Sequence, residues 1–141
     1  MIIWTKPREA KEVLEVQENN FLNKMASIRK AEETKKFWAM CLKRKLLPEI
    51  LSCYDKNFIF KGTLVKKATQ NKYDLSKYFK NFVNKANDVT FFKNNITLEK
   101  NNIVIDTGRY NFKTDDGIIK AHYTFIFDKD GKIIMHYSNL Y

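Results

Sequence analysis

Residues 103–141 read IVIDTGRYNFKTDDGIIKAHYTFIFDKDGKIIMHYSNLY, and this stretch decides the fold. Three runs rich in β-branched and aromatic residues are separated by Asp115-Asp116-Gly117 and by Asp128-Lys129-Asp130-Gly131. Both separators are built from residues that accept turn conformations at little cost, so the runs are predicted to be antiparallel strands joined by tight hairpins. Alternation puts Tyr123, Phe125 and Phe127 on one face of the middle strand, against His122, Thr124 and Ile126 on the other. In the last strand it opposes Ile133, Met135 and Tyr137 to Ile134, His136 and Ser138. A sheet with one apolar face needs a covering layer, which the rest of the chain must supply.

Immediately upstream, Val89 to Lys93 and Asn95 to Lys100 read as strand, interrupted at Asn94-Asn95 and closed by a turn at Asn101-Asn102. Asp74 is placed to cap a short helix carrying Leu75, Tyr78, Phe79, Phe82 and Val83. Residues 63–73 are polar and read as a loop, and Asn57 to Gly62 alternate like a strand. Pro48 suits the first turn of a helix with Ile50, Leu51 and Tyr54 inward. Before it, Phe37, Trp38, Cys41, Leu42, Leu46 and Leu47 make the broad face of a core helix. Residues 9–34 form a further helix whose stripe, Val13, Val16, Phe21, Met25 and Ile28, is narrow. Such a stripe packs either on the surface of its own domain or on a partner chain, and the sequence leaves both open. Glu9, Glu12, Glu15 and Glu18 suit the amino end of a helix.

No repeat, low-complexity block or Pro/Gly linker divides the chain. The expected fold class is α+β, a curved antiparallel sheet wrapped over N-terminal helices, with residues 1–33 as a helical extension and 34–141 as the main domain.

The totals agree with one packed domain: 141 residues, 44% hydrophobic and 14% aromatic. No run approaches the roughly 18 to 20 apolar residues of a membrane span, and MIIWTKPREA is too quickly charged for a secretory signal. A soluble cytoplasmic chain with no membrane partner is the expectation. Cys41 and Cys53 fit no zinc spacing and read as small buried hydrophobes. The net charge of +10 comes from 22 Lys and four Arg beside 14 Asn, the imprint of an AT-rich genome more than of a phosphate-reading surface. Nucleic acid is therefore not expected as a partner.

Four local patterns go further: Tyr54-Asp55-Lys56-Asn57-Phe58 leaving the second helix, Asp74 to Phe82, Gly108-Arg109-Tyr110-Asn111-Phe112, and Tyr123-Thr124-Phe125-Ile126-Phe127-Asp128-Lys129-Asp130-Gly131-Lys132. Together they resemble the nuclear transport factor 2-like superfamily, which includes SnoaL-like and SgcJ/EcaC-type proteins and is related to the calcium/calmodulin-dependent kinase II association domain. The last pattern is similar to the YTFxYxKxDGKW hairpin of the small members. Ile133 stands where the usual Trp would be, and Met135-His136-Tyr137-Ser138-Asn139 replaces a His-rich ending. The resemblance covers residues 34–141 and implies a cone-shaped fold with an apolar pocket at its open end. It does not imply one activity, because this fold hosts isomerases, dehydratases, hydrolases and assembly modules.

In such a cone the candidates for lining the pocket are Arg109, Tyr110, His122, Thr124, His136 and Tyr54. If the final hairpin turns tightly, His122 and His136 share a face, and with Asp55 or Asp106 they could serve as general acid and base. The other placement has His122 on the sheet surface and His136 at a dimer interface. An inward Arg109 would need a carboxylate, which implies a small anionic ligand. An outward Arg109 would pair with Asp106 or with a partner chain. There is no phosphate-binding loop and no nucleophile motif, so no catalytic residue, metal or cofactor is assigned. The leading function is an oligomerising small-ligand-binding or assembly domain, self-associating through its sheet face as a homodimer or larger. The alternative is a small-molecule isomerase, dehydratase or hydrolase using the cone pocket.

Overall fold

The computed structural model describes residues 7–141. Its elements are α1 (Pro7–Lys43), α2 (Leu47–Ser52), β1 (Tyr54–Lys61), α3 (Lys72–Lys85), β2 (Ala86–Phe91), β3 (Ile96–Lys100), β4 (Ile103–Thr114), β5 (Gly117–Phe127) and β6 (Ile133–Leu140). Helix α1 runs unbroken through residue 33, so one 37-residue rod carries both the narrow stripe and the broad apolar face. It stops where Lys45 turns into the left-handed region (φ 59°), with Leu46 N–H bonding the Cys41 carbonyl and Lys45 N–H the Leu42 carbonyl. That pattern satisfies the orphan carbonyls of a helix end. Pro48 then opens α2. Among the described residues no helix is long and apolar enough to cross a membrane.

The fold is α+β: a curved, unclosed six-stranded sheet over helices, in the order β1-β6-β5-β4-β2. Strand β3 pairs with the start of β4 and β2 with its end, so the two short strands lie in line along one edge of the long one. One pair departs from the antiparallel expectation, because β1 and β6 run parallel. These strands come from distant parts of the chain, and no hairpin constrains their direction. The three hairpins fall at the turn residues read from the sequence: Asn101 and Asn102 have φ of 53° and 66°, Gly117 of 131° and Gly131 of 79°. The cap of α3 is corrected. Asn71 accepts from Tyr73 N–H at 2.7 Å, while Asp74 sits inside the first turn, where its carboxylate accepts from the Thr69 hydroxyl.

A bulge between β5 and β6 resets the alternation of the last strand. Ile126 pairs with Met135 but Phe127 pairs with Ile133, so Ile134 is extra. Ile133, His136 and Ser138 consequently share the inner face, and Met135 and Tyr137 point outward. On that inner face Tyr110, Phe112, Tyr123, Phe125 and Phe127 close over Trp38 of α1, which is fully buried. The Trp38 ring lies 5.6 Å from the rings of Phe125 and His136 and 6.2 Å from that of Tyr110. The Asp128–Gly131 turn is pinned to α1: the Thr34 hydroxyl donates to the Gly131 carbonyl at 2.6 Å.

Candidate functional site

The six candidate residues divide between the two faces of the sheet. Tyr54, Tyr110 and His136 are buried on the inner face, whereas Arg109, His122 and Thr124 lie in the outward phase of β4 and β5. The two histidines therefore do not share a face. Asp106 is buried and inward while Arg109, three residues on, is outward, so that ion pair does not form either.

Inside the cone, His136 is the centre of a polar chain within an aromatic shell. Its Nδ1 is 2.8 Å from the Tyr54 hydroxyl and its Nε2 3.1 Å from the Tyr110 hydroxyl. Tyr110 donates to Ser138 Oγ at 2.6 Å, and Ser138 meets the Thr63 hydroxyl. Since Tyr110 spends its proton on Ser138, it accepts from Nε2–H, which leaves Nδ1 to accept from Tyr54. All of these side chains are then satisfied with the imidazole neutral. Burial pushes the His136 pKa down to about 3 and pushes the Tyr54 and Tyr110 phenols well up. The free space beside this chain is only about 10 Å³, at the lower limit for a single water. The chain could relay a proton, but Trp38, Phe60, Tyr78 and Phe79 fill the volume a substrate would need.

A second polar cluster lies nearer the surface, between α1 and β2–β4. Lys35 Nζ is 2.7 Å from Asp106 Oδ2 and donates to the Tyr123 hydroxyl at 2.9 Å. Asp106 Oδ1 accepts from Tyr123 at 3.1 Å and from Asn95 Nδ2 at 2.7 Å. Gly108 makes the crowding tolerable, because a Cβ there would come within 2.9 Å of Asn95 Cβ and 3.2 Å of the Tyr123 hydroxyl. The ammonium also sits 4.4 Å from the Phe91 ring centre. Burial raises the Tyr123 phenol, and the Asp106 charge raises it further, so it acts as a donor. This cluster floors an open cleft of about 400 Å³ whose walls include Ile28, Phe91, Phe92 and Lys93. Sequence reading named Asp106 only as a candidate and missed Lys35 and Tyr123. The signal was available: each charge falls in the inward phase of its element, Lys35 between Ala31 and Trp38 on α1 and Asp106 between Val104 and Tyr110 on β4.

The outer face has the opposite character. Leu98, Ile105, Ile126, Met135 and Ile59 are successive cross-strand partners over β3, β4, β5, β6 and β1, an unbroken apolar row. The next row is Ile96, Thr107, Thr124, Tyr137 and Lys61, with Thr107 and Thr124 hydroxyls 3.1 Å apart. Beyond it stand Arg109, His122 and Asn139. The Arg109 guanidinium lies 4.9 Å from the Phe92 ring centre and 4.8 Å from that of Tyr141, and it donates to the Tyr141 hydroxyl. His122 meets the same Tyr141 ring edge-on at 4.7 Å.

No family model matches the sequence, and no curated protein matches it. Solved structures do match its shape. An NTF2-like protein of unknown function from Shewanella oneidensis superposes with a TM-score of 0.66 at 15% identity, over 79% of this chain and 98% of that one. The chain has the nuclear transport factor 2-like fold. A Xanthomonas campestris protein named for the calcium/calmodulin-dependent protein kinase II association domain shares this NTF2-like fold, with a TM-score of 0.56 and 23% identity over 74% of this chain and 80% of that one. Another Xanthomonas campestris protein, named as a polyketide cyclase, reaches 0.57 at 9% identity over 84% and 93% of the two chains. At these identities NTF2-like architecture is what is shared, and the printed roles of the neighbours diverge.

Proposed function

We propose that this chain is an assembly domain that pairs with a second copy of itself across the outer face of its sheet. The observation that carries the reading is the five-strand apolar row, in which Leu98 is 59% and Ile105 36% exposed. A contiguous apolar band beside a mixed row of Thr, Tyr and Lys has the anatomy of an interface core and its rim. Arg109, His122 and Tyr141 then stand at the rim, already held by one another. The neighbour named for an association domain lends support, since the same fold carries that name there. The enzyme alternative finds less support, because the inner chain around His136 has about 10 Å³ of space beside it.

The test is the solution mass of the full chain by light scattering, before and after Ile105→Lys with Ile126→Lys. These two side chains are direct cross-strand partners, so the double substitution places adjacent ammonium groups in the proposed interface. Loss of a self-association step with an unchanged far-UV spectrum supports the reading. An unchanged mass removes it.

A further inference from the structure

The amino half of α1 projects from the domain. Each of the fifteen residues from Lys11 to Met25 is exposed, which corresponds to about 22 Å of helix. Yet Leu14, Phe21 and Leu22 are 60%, 60% and 62% exposed, and Met25 is 48% exposed. Helical spacing places Leu14, Phe21, Met25 and Ile28 on one face, steps of seven, four and three residues. Farther along the same helix this face becomes the one that buries Ala31, Trp38 and Leu42. The core stripe of the domain thus continues past the sheet that covers it. Helices of this length are marginal in water without tertiary packing, so an exposed projecting stripe calls for a cover.

The charge pattern says what the cover is. Residues 9–20 hold Glu9, Glu12, Glu15 and Glu18 against Lys11, and residues 21–30 hold Lys24, Arg29 and Lys30 with no acid. The acidic half and the basic half of one helix are complementary to each other in reverse. Two copies laid antiparallel about Phe21 bring Glu12 opposite Lys30 and Glu18 opposite Lys24, at the cost of Glu9 opposite Glu33, whereas a parallel pair would stack acid on acid throughout residues 9–18. Antiparallel helices also oppose their dipoles. Centring the pair on Phe21 puts Leu14 of each copy opposite the half-buried Ile28 of the other, and Met25 opposite the aliphatic stem of Gln17.

We propose that the projecting half of α1 is a second self-association surface, on which the same helix of another copy packs antiparallel about Phe21. It is separate from the sheet face. A chain with two self-complementary surfaces assembles beyond a dimer.

Two measurements on the full chain test this. Light scattering should give four times the 16.8 kDa chain mass. Leu14→Glu with Phe21→Glu should halve that mass while the spectrum of the folded domain persists. An unchanged mass overturns the helix proposal and leaves the sheet-face reading standing. The converse holds if only Ile105→Lys with Ile126→Lys changes the mass. Orientation is read by oxidative cross-linking, for which the native Cys41 and Cys53 are buried. Phe21→Cys should form a covalent dimer, Leu14→Cys alone should not, and a mixture of Leu14→Cys and Ile28→Cys chains should form the heterodimer. Efficient self-linking at position 14 would mean a parallel pair and would overturn the proposal. Absence of any link, with an unchanged mass in the glutamate variant, would show the helix to be covered by a different protein or by nothing.

Discussion

The two faces of one sheet invert the usual distribution of residues. The inner face, against α1 and α3, buries an ion pair, a histidine and a chain of hydroxyls; the outer face displays a band of Leu, Ile and Met. Inner polar groups are held because each has a partner, which makes them costly to disturb singly. The outer apolar groups touch one another across the strands but no covering layer among the described residues, which makes them cheap to change for folding and the place where the proposed assembly is tested. On the proposed function, the inside carries stability and the outside carries association. Substitutions on the two faces should therefore separate stability from association.

The largest effect belongs to the inner ion pair. Lys35 and Asp106 side chains are only 14% and 6% exposed, so Lys35→Met strands a carboxylate that keeps Asn95 and Tyr123 as its donors. Breaking a buried pair from one side costs about 3–5 kcal/mol. Urea unfolding should show a loss of that order, and adding Asp106→Leu should return most of it. The outer face would lose its special status if Lys35→Met cost no more than Ile105→Thr, for which a change under about 0.5 kcal/mol in the unassociated chain is expected.

A smaller effect follows from His136. Its pKa is about 3 in the fold because of burial, below the ordinary value of 6.5 that the unfolded chain presents. Above pH 6.5 both states are neutral and the histidine contributes no pH dependence. As pH falls below 6.5 the unfolded state takes up a proton that the folded state refuses, and stability drops until about pH 3. The slope for one group is about 1.4 kcal/mol per pH unit, so roughly 2 kcal/mol is lost by pH 5. His136→Gln should flatten the melting profile between pH 6.5 and 5 relative to the native chain. Identical slopes would place His136 in contact with water and reopen the cone as a site.

Much of the local structure is legible in the sequence. The hairpins were readable because Asp, Asn and Gly announce positive φ locally, and alternation grouped Tyr123, Phe125 and Phe127 on one face of β5 without saying that this face was the inner one. What escaped was non-local. Nothing in β1 or β6 states that they run parallel, and the extra residue at Ile134 that puts Ile133 beside His136 is a property of the pairing. The Lys35–Asp106 pair joins positions far apart in the chain. Of the six pocket candidates, Tyr54, Tyr110 and His136 do converge. Arg109, His122 and Thr124 were separated from them by the pleat, whose sense the alternation of residues leaves undetermined.

The smallest effect on folding should come from the projecting half of α1. The narrow stripe of residues 9–34 marks this part of the helix as peripheral, and the contacts fix where it can be cut. Ser27 is buried and its hydroxyl lies 3.4 Å from Asn102 Oδ1, Ile28 packs on the core, and a Cβ on Gly131 would come within 2.9 Å of the Lys30 carbonyl. The domain thus begins to hold α1 at about residue 27, a few residues before the point where the apolar face broadens in the sequence. Deleting residues 1–24 removes no buried position among those described, so a cooperative melt should persist and intrinsic stability should change by about 1 kcal/mol or less. Deleting residues 1–34 also removes Ala31 and the Thr34 bond to the Gly131 carbonyl, and the β5–β6 turn should lose its anchor. A chain starting at residue 25 that melts without cooperativity would show that the projecting helix stabilises its own domain, and the line between inner structure and outer function would then have to be drawn elsewhere.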